Sequence, residues 1–302
     1  MGLLFVIALI GSAASNSRDP VSMYIRRGQY RMAVQNIFRR LEGSPDDPEL
    51  YSMLGLAWSR SGYMADAVGA FQLCGGGEHY EDEGLEAHAN ALRELGDPEA
   101  ASELRRQKLL DPNLSEGRMV RVYIGLVDDA RAAGDLDGAL HWVEEAEAVY
   151  PRAPIVQAAV ADIMMDIGDY EAADVALWES AQLGATRRGI ISQARRSLSL
   201  GNYLSAETYL EDARALNSPN NALAALRAEV QRLQGFPEDA AEILNRSRWE
   251  LTEDPMILAI RIRVAVDLGD IEAAKVEADR ARAIYSENKD VQYSLEYLAA
   301  AL

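Results

Sequence analysis

Small and apolar positions recur along this chain at a fixed interval. Glycine marks a corner between two helical stretches at Gly28, Gly62, Gly96, Gly134, Gly168, Gly201, Gly235 and Gly269, with separations of 34, 34, 38, 34, 33, 34 and 34 residues. Five residues after each glycine comes an alanine: Ala33, Ala67, Ala101, Ala139, Ala173, Ala206, Ala240 and Ala274. Seven residues before it stands another mostly small residue, as Gly55, Ala89, Val127, Ala161, Ala194 and Ala228, with the larger Ile262 as exception. Self-similarity of this period marks supersecondary units that stack and share a core. The pattern predicts an all-α chain of about eight helix-turn-helix units.

The corner "MDIGDYEAAD" (Met165–Asp174) shows the expected chemistry. A helix commonly ends on a left-handed residue, and glycine adopts that conformation without a Cβ penalty. The next residue is Asp97, Asp135, Asp169, Asp270 or Asn202 in five units, each able to cap the free amides of a second helix. Pro98 suits a first helical position, where no donor is needed. The alanine lets the second helix approach the first closely. The acids at the corner are therefore helix caps rather than cation ligands.

In "YSMLGLAWSRSGYMADAVGAF", the residues Tyr51, Leu54, Gly55, Trp58, Gly62, Ala67 and Phe71 match the tetratricopeptide repeat, which the sequence resembles over residues 15–287. Ala146 and Pro151 match the family's small residue and closing proline in the unit around Gly134. His88, Gln193, Arg227 and Arg261 depart from it, standing where leucine is usual, so units there are expected to splay or shift register. Four additional residues near Asn113–Glu116 are expected to lengthen a connection. The resemblance implies a right-handed α-solenoid whose first helices line a concave groove, closed by a C-terminal helix over residues 288–302. It also implies a non-enzymatic scaffold that binds a peptide or protein partner.

Six residues before the turn glycines lie Leu56, Asn90, Asp128, Asp162, Arg195, Glu229 and Arg263, facing away from the inter-helix packing stripe. Arg93 and Arg131 follow three residues after Asn90 and Asp128 and share their faces. With Asp166 and Arg188 these define the expected partner-binding groove, an acidic segment abutting a basic one. The family's clamp for a C-terminal carboxylate is not reproduced, because Glu86 stands where its first lysine would be. Trp142, Trp178 and Trp249 fall on second helices, where packing between units is expected and joint exposure would mark a second docking surface.

Composition narrows the partners. Hydrophobic residues make up 49% and aromatics only 7%, which suits packed helices better than sheets. The net charge of −18 repels a phosphate backbone, so no nucleic-acid partner is expected. The distribution is uneven: six arginines against Asp19 give residues 1–40 a charge of +5, leaving −23 for the rest. Cys74, the single cysteine, excludes an internal disulfide. Cys74, His79 and His88 lack ligand spacing for a metal, and no catalytic constellation or cofactor motif occurs, so no metal, cofactor or enzyme activity is expected.

Residues 1–14, "MGLLFVIALIGSAA", carry no charge. The run falls short of the roughly 20 residues that span a bilayer. An exported protein of the cell envelope is expected, with cleavage after Ala14, although no basic residue precedes the apolar core. A membrane anchor through residues 1–14 or a first core helix are the alternatives. An uncleaved anchor followed by positive charge would leave the domain in the cytoplasm. A cytosolic peptide-sensing module is the remaining possibility.

Overall fold

A computed structural model describes residues 19–75, 82–215, 221–246 and 254–302. The apolar run 1–14, His79 and Trp249 lie outside the described residues. Among the described residues all seventeen regular elements are α-helices. In chain order, sixteen fall into pairs around the glycine corners. The first three pairs are α1 (Pro20–Arg26) and α2 (Tyr30–Leu41), α3 (Pro48–Ser61) and α4 (Met64–Leu73), and α5 (Asp82–Glu94) and α6 (Pro98–Leu109). Next come α7 (Glu116–Ala133) and α8 (Leu136–Val149), α9 (Pro154–Ile167) and α10 (Tyr170–Leu183), and α11 (Arg187–Ser199) and α12 (Tyr203–Ala215). The last pairs are α13 (Asn221–Leu233) with α14 (Pro237–Arg246) and α15 (Pro255–Asp267) with α16 (Ile271–Tyr285); α17 (Lys289–Ala301) has no mate.

The corners are built as the sequence predicts. At Gly168, with φ 87°, the glycine N–H donates to Met165 O at 3.1 Å and Asp169 N–H donates to Met164 O at 2.9 Å. That pair of bonds satisfies carbonyls the helix end would leave free, and it requires a left-handed residue. All eight corner glycines share the conformation, with φ from 68° to 91°. Asp169 then accepts from Ala172 N–H at 3.0 Å, capping the second helix. Asp97, Asp135, Asp270 and Asn202 do the same in their own units. All eight alanines five residues on are fully buried.

The chain divides into two compact units, Met1–Ala91 and Leu92–Leu302. In the first unit, Val21, Ile25, Ile37, Leu50 and Leu54 form the core of α1 to α4. Gly55 admits the Phe71 ring so closely that a Cβ there would lie 2.8 Å from three ring atoms. His88 stacks on the other side of this packing, 4.9 Å from Phe71 between ring centroids. Burial holds its pKa down at about 4, so it is a neutral core residue at physiological pH. Cys74 is likewise buried, and burial raises its thiol pKa, opposite to what a nucleophile needs.

In the second unit the core passes between neighbouring helices. Val127, Val143 and Ile163 join α7 to α9, Leu210 and Leu226 join α12 to α13, and Leu244 and Ile257 join α14 to α15. Arg227 and Arg261 are absorbed where leucine is usual by pairing with Glu211 at 2.9 Å and Glu277 at 3.8 Å. The four additional residues do more than lengthen a connection. Helix α7 has 18 residues where α9 has 14, so they add about one helical turn. The end of this unit also returns to its beginning. Asn288 Nδ2 donates to Glu94 O at 3.4 Å, and Lys289 Nζ donates to Arg131 O at 3.3 Å. Gly96 leaves room for Glu287, whose Cβ lies 2.6 Å from where a glycine Cβ would be. Contacts in this unit therefore reach beyond nearest neighbours.

Candidate functional site

The first helices of the second unit pack on one another, α7 with α9, α9 with α11, and α13 with α15. Within those packed pairs, residues six before the turn glycine come side by side, as do those two and three before it. Arg188 is the second residue of α11, a position where the helix dipole disfavours a cation. Two carboxylates compensate. Its guanidinium donates to both oxygens of Asp128, at 2.7 and 2.9 Å, and its Nε donates to Asp162 at 2.9 Å. Ser192 Oγ donates to the other Asp162 oxygen at 2.6 Å. Arg131 Nε donates to Asp166 at 2.7 Å, and its Nη1 lies 3.6 Å from both Asp128 and Asp162. One arginine therefore ties α11 to α7 across the intervening α9, spanning 60 residues of sequence.

The electrostatics follow from this geometry. Burial alone would raise the Asp128 pKa, but Arg188, helped by Arg93 and Arg131, holds it well below the usual carboxylate range. Burial disfavours the Arg188 charge in turn, and Asp128 and Asp162 more than offset that. Deeper in the unit, Arg105 and Asp129 form a pair with both side chains fully buried, at 2.6 Å. Gly125 makes room for it, because a Cβ there would lie 2.1 Å from Arg105 Nε. Arg93 joins Asp129 at 3.5 Å and Glu94 at 3.3 Å. Burial raises the pKa of Asp129 and of Glu94 despite these arginines.

A second network lies toward the C-terminus. Arg232 pairs with Glu229 through two bonds of 2.9 Å and reaches Asp267 at 2.8 Å. Tyr297 of α17 donates to Asp267 at 2.6 Å and its ring lies 5.4 Å from the Arg232 guanidinium. Arg263 donates to Ser294 at 2.6 Å and approaches Glu229 at 3.4 Å. The Arg232–Asp267 bridge repeats Arg131–Asp166 three repeats further on, with each arginine three residues before one glycine and each aspartate two before the next. Of the expected groove residues, Asp128, Arg131, Asp162, Asp166, Arg188 and Arg93 thus meet in one network, and Glu229 and Arg263 in the other. Between the networks stands Arg195, half-buried on α11, with no hydrogen bond or ion pair among the described residues. Asn90 falls in the first unit, half-buried on α5.

Sequence reasoning placed these side chains on one face but did not find Arg105, Asp129, Tyr297 or Ser294 as members of the networks. The available signal for Arg105 was Gly125, a helix-interior glycine with no turn to make. Trp142 packs beside Tyr123, with centroids 6.1 Å apart, whereas Trp178 is 63% exposed. Among the described residues no group of three His, Cys, Asp or Glu is arranged to hold a metal ion, and no helix is long and apolar enough to cross a membrane.

The same arrangement of helices occurs in solved proteins. A tetratricopeptide repeat protein from Parabacteroides merdae superposes with a TM-score of 0.52 at 15% identity, covering 81% of this chain and 95% of its own. This is a tetratricopeptide-repeat fold. PilW, titled a type IV pilus biogenesis factor, matches that fold over 68% of this chain and 93% of its own (TM-score 0.51, 16% identity). A chain of the Cut9–Hcn1 hetero-tetramer of the APC/C matches over 89% of this repeat chain but 52% of its own (TM-score 0.52, 15% identity). No family model matches the sequence, and no curated protein matches it significantly.

Proposed function

We propose that this chain is a non-enzymatic repeat scaffold that holds a protein or peptide segment on the inner face of its second unit. The observation that carries the reading is Arg195. The other groove charges in that unit are spent on one another in two internally compensated networks, and Arg195 stands between them without an ion pair among the described residues. Rigid networks on either side pre-organise the surface, and the unpaired guanidinium selects a partner with a carboxylate opposite it. Charge then supplies specificity more than affinity. Asp128 and Asp166, 28% and 38% exposed, are the carboxylates best placed to accept hydrogen bonds from the same segment.

The proposed setting is the cell envelope. The uncharged run 1–14 with Ser12, Ala13 and Ala14 supports it, and PilW, a fold neighbour, is titled a pilus biogenesis factor. N-terminal sequencing of the natural protein tests the setting: a mature start at Ser15 supports export, and an intact Met1 contradicts cleavage. Affinity capture from envelope fractions with wild type and Arg195→Glu tests the groove. Because Arg195 supports no internal ion pair, the variant is expected to keep its fold and lose its partner. Capture of the same partner by both proteins, unchanged at high salt, would count against the reading.

A further inference from the structure

A different surface of the second unit carries an apolar ridge. At four successive corners, around Gly168, Gly201, Gly235 and Gly269, large apolar residues face solvent: Ile167 (48% exposed), Leu200 (63%), Leu204 (76%), Leu233 (38%), Phe236 (51%) and Leu268 (42%). The earlier corner at Gly134 has Ala133 in the corresponding place, so the ridge is local rather than a property of the repeat. Between the corners of α11–α12 and α13–α14 lies a shallow, open depression of about 500 Å³, lined by Gly201, Asn202, Tyr203, Leu204, Leu233, Gln234 and Phe236. Single exposed apolar residues need no explanation, but large ones recurring at four successive corners, with a depression between the middle two, mark a docking surface.

The rim specifies the occupant. The first turns of the second helices place Glu171, Glu238, Asp239 and Glu272 along the ridge, all exposed. The nearby cations are already committed, Arg196 to Asp174 at 2.7 Å and Lys275 to Glu272 at 2.8 Å. An apolar row with an acidic rim is complementary to an apolar stripe with basic flanks. The spacing chooses the conformation. Directly packed helices lie about 8–10 Å apart, so the corners of α9 and α11, and of α13 and α15, recur at about that distance. Seven residues of α-helix advance about 10.5 Å and return to the same face. Three residues of a strand cover a similar length but end on the opposite face.

We propose that this corner edge docks a basic amphipathic helix of a partner protein, with apolar residues seven apart set against the paired corners of α9 and α11 and of α13 and α15, and a larger side chain over the depression between the two pairs. The ridge is separate from the inner face, so either reading can fail without the other.

The probe is a synthetic helical peptide of about 25 residues, long enough to cross four corners, with leucine at every seventh position among lysine, glutamine and alanine. Its binding to the full chain is followed by fluorescence anisotropy. Wild type is expected to bind at low salt. Leu204→Glu with Phe236→Glu should weaken binding at least tenfold, Glu238→Lys with Asp239→Lys should weaken it several-fold and remove its salt dependence, and Arg195→Glu should leave it unchanged. Failure of wild type to bind, or equal binding by the Leu204→Glu, Phe236→Glu variant, overturns the proposal. So does equal binding of a glutamate-for-lysine twin of the peptide, which would show unselective apolar adhesion. Sedimentation equilibrium covers the remaining occupant: self-association of wild type abolished by the same two substitutions would assign the edge to a second copy of this chain.

Discussion

Six residues before the turn glycine, the first unit places the uncharged Ser22, Leu56 and Asn90, and the second unit places the charged Asp128, Asp162, Arg195, Glu229 and Arg263. The backbone solution is the same, but the interaction range differs. Leu56 belongs to a local apolar cluster with Leu50, Leu54 and Trp58, and its influence ends at van der Waals contact. Asp128 is bonded to Arg188, two repeats away. An apolar residue at this position therefore ties a repeat to its neighbour, whereas an ionic one can tie it to the neighbour beyond. Arg232–Asp267 stays between adjacent repeats, and the polar contact of Asn288 with Glu94 O is another link in this unit that passes beyond a neighbour.

The sharpest way to break the contrast is to strand a buried charge in the second unit. Arg105→Ala leaves Asp129 buried without its closest partner and should cost about 3–5 kcal/mol, while Arg105→Met with Asp129→Leu should recover most of that loss. Denaturant unfolding of the full chain reads both variants. Arg188→Gln removes charge-assisted bonds to Asp128 and Asp162 nearer the surface, and about 2–3 kcal/mol is expected by the same measurement.

In the first unit the sensitive feature is steric. Gly55→Ala pushes a methyl against the Phe71 ring and should cost about 1–3 kcal/mol, because the ring is fully buried and has little room to move. Gly69→Ala, with nothing within 4 Å of its Cβ, should instead stabilise by about 0.5–1 kcal/mol. Equal effects at the two glycines would show that the Phe71 contact is not what sets the packing.

Acid should separate the units by sign. The His88 pKa falls from 6.5 to about 4 in the folded protein, so the unfolded chain takes up its proton first. Stability contributed by neutral His88 is lost as the pH falls from about 6.5 to about 4 and changes no further below that. In the second unit Asp128, held low, keeps its charge through this window, and Asp129 and Glu94, held high, favour the fold as they protonate. Thermal melts of wild type and His88→Phe across this window should diverge by a few degrees, about the shift that a 1 kcal/mol change produces. Parallel curves would remove His88 from the account. The smallest effect belongs to the exposed Arg196–Asp174 pair: Arg196→Ala should cost less than about 1 kcal/mol by denaturant unfolding.

The corners were legible because their causes are local. Glycine at a left-handed position, aspartate one residue later and alanine four after that are chemical requirements of a tight helix pair, and each is met within ten residues. The face carrying Asp128, Asp162 and Arg195 was legible from helical periodicity alone. Their pairing was not, because whether Arg188 reaches Asp128 depends on how the first helices turn about one another over 60 residues. Insertion length was legible, but not its destination: the four residues before Gly134 went mainly into α7, where a full turn preserves the packing face. Gly125 was a missed clue, since a glycine that makes no turn inside a helix usually yields space to something large, here Arg105.

The claim that an ionic link bridges two repeats is tested most directly by a double-mutant cycle on Asp128→Asn and Arg188→Gln, followed by denaturant unfolding. Direct pairing predicts a coupling energy of about 1 kcal/mol or more between these positions. Additivity within about 0.3 kcal/mol would contradict it and leave these positions as a row of independently solvated charges.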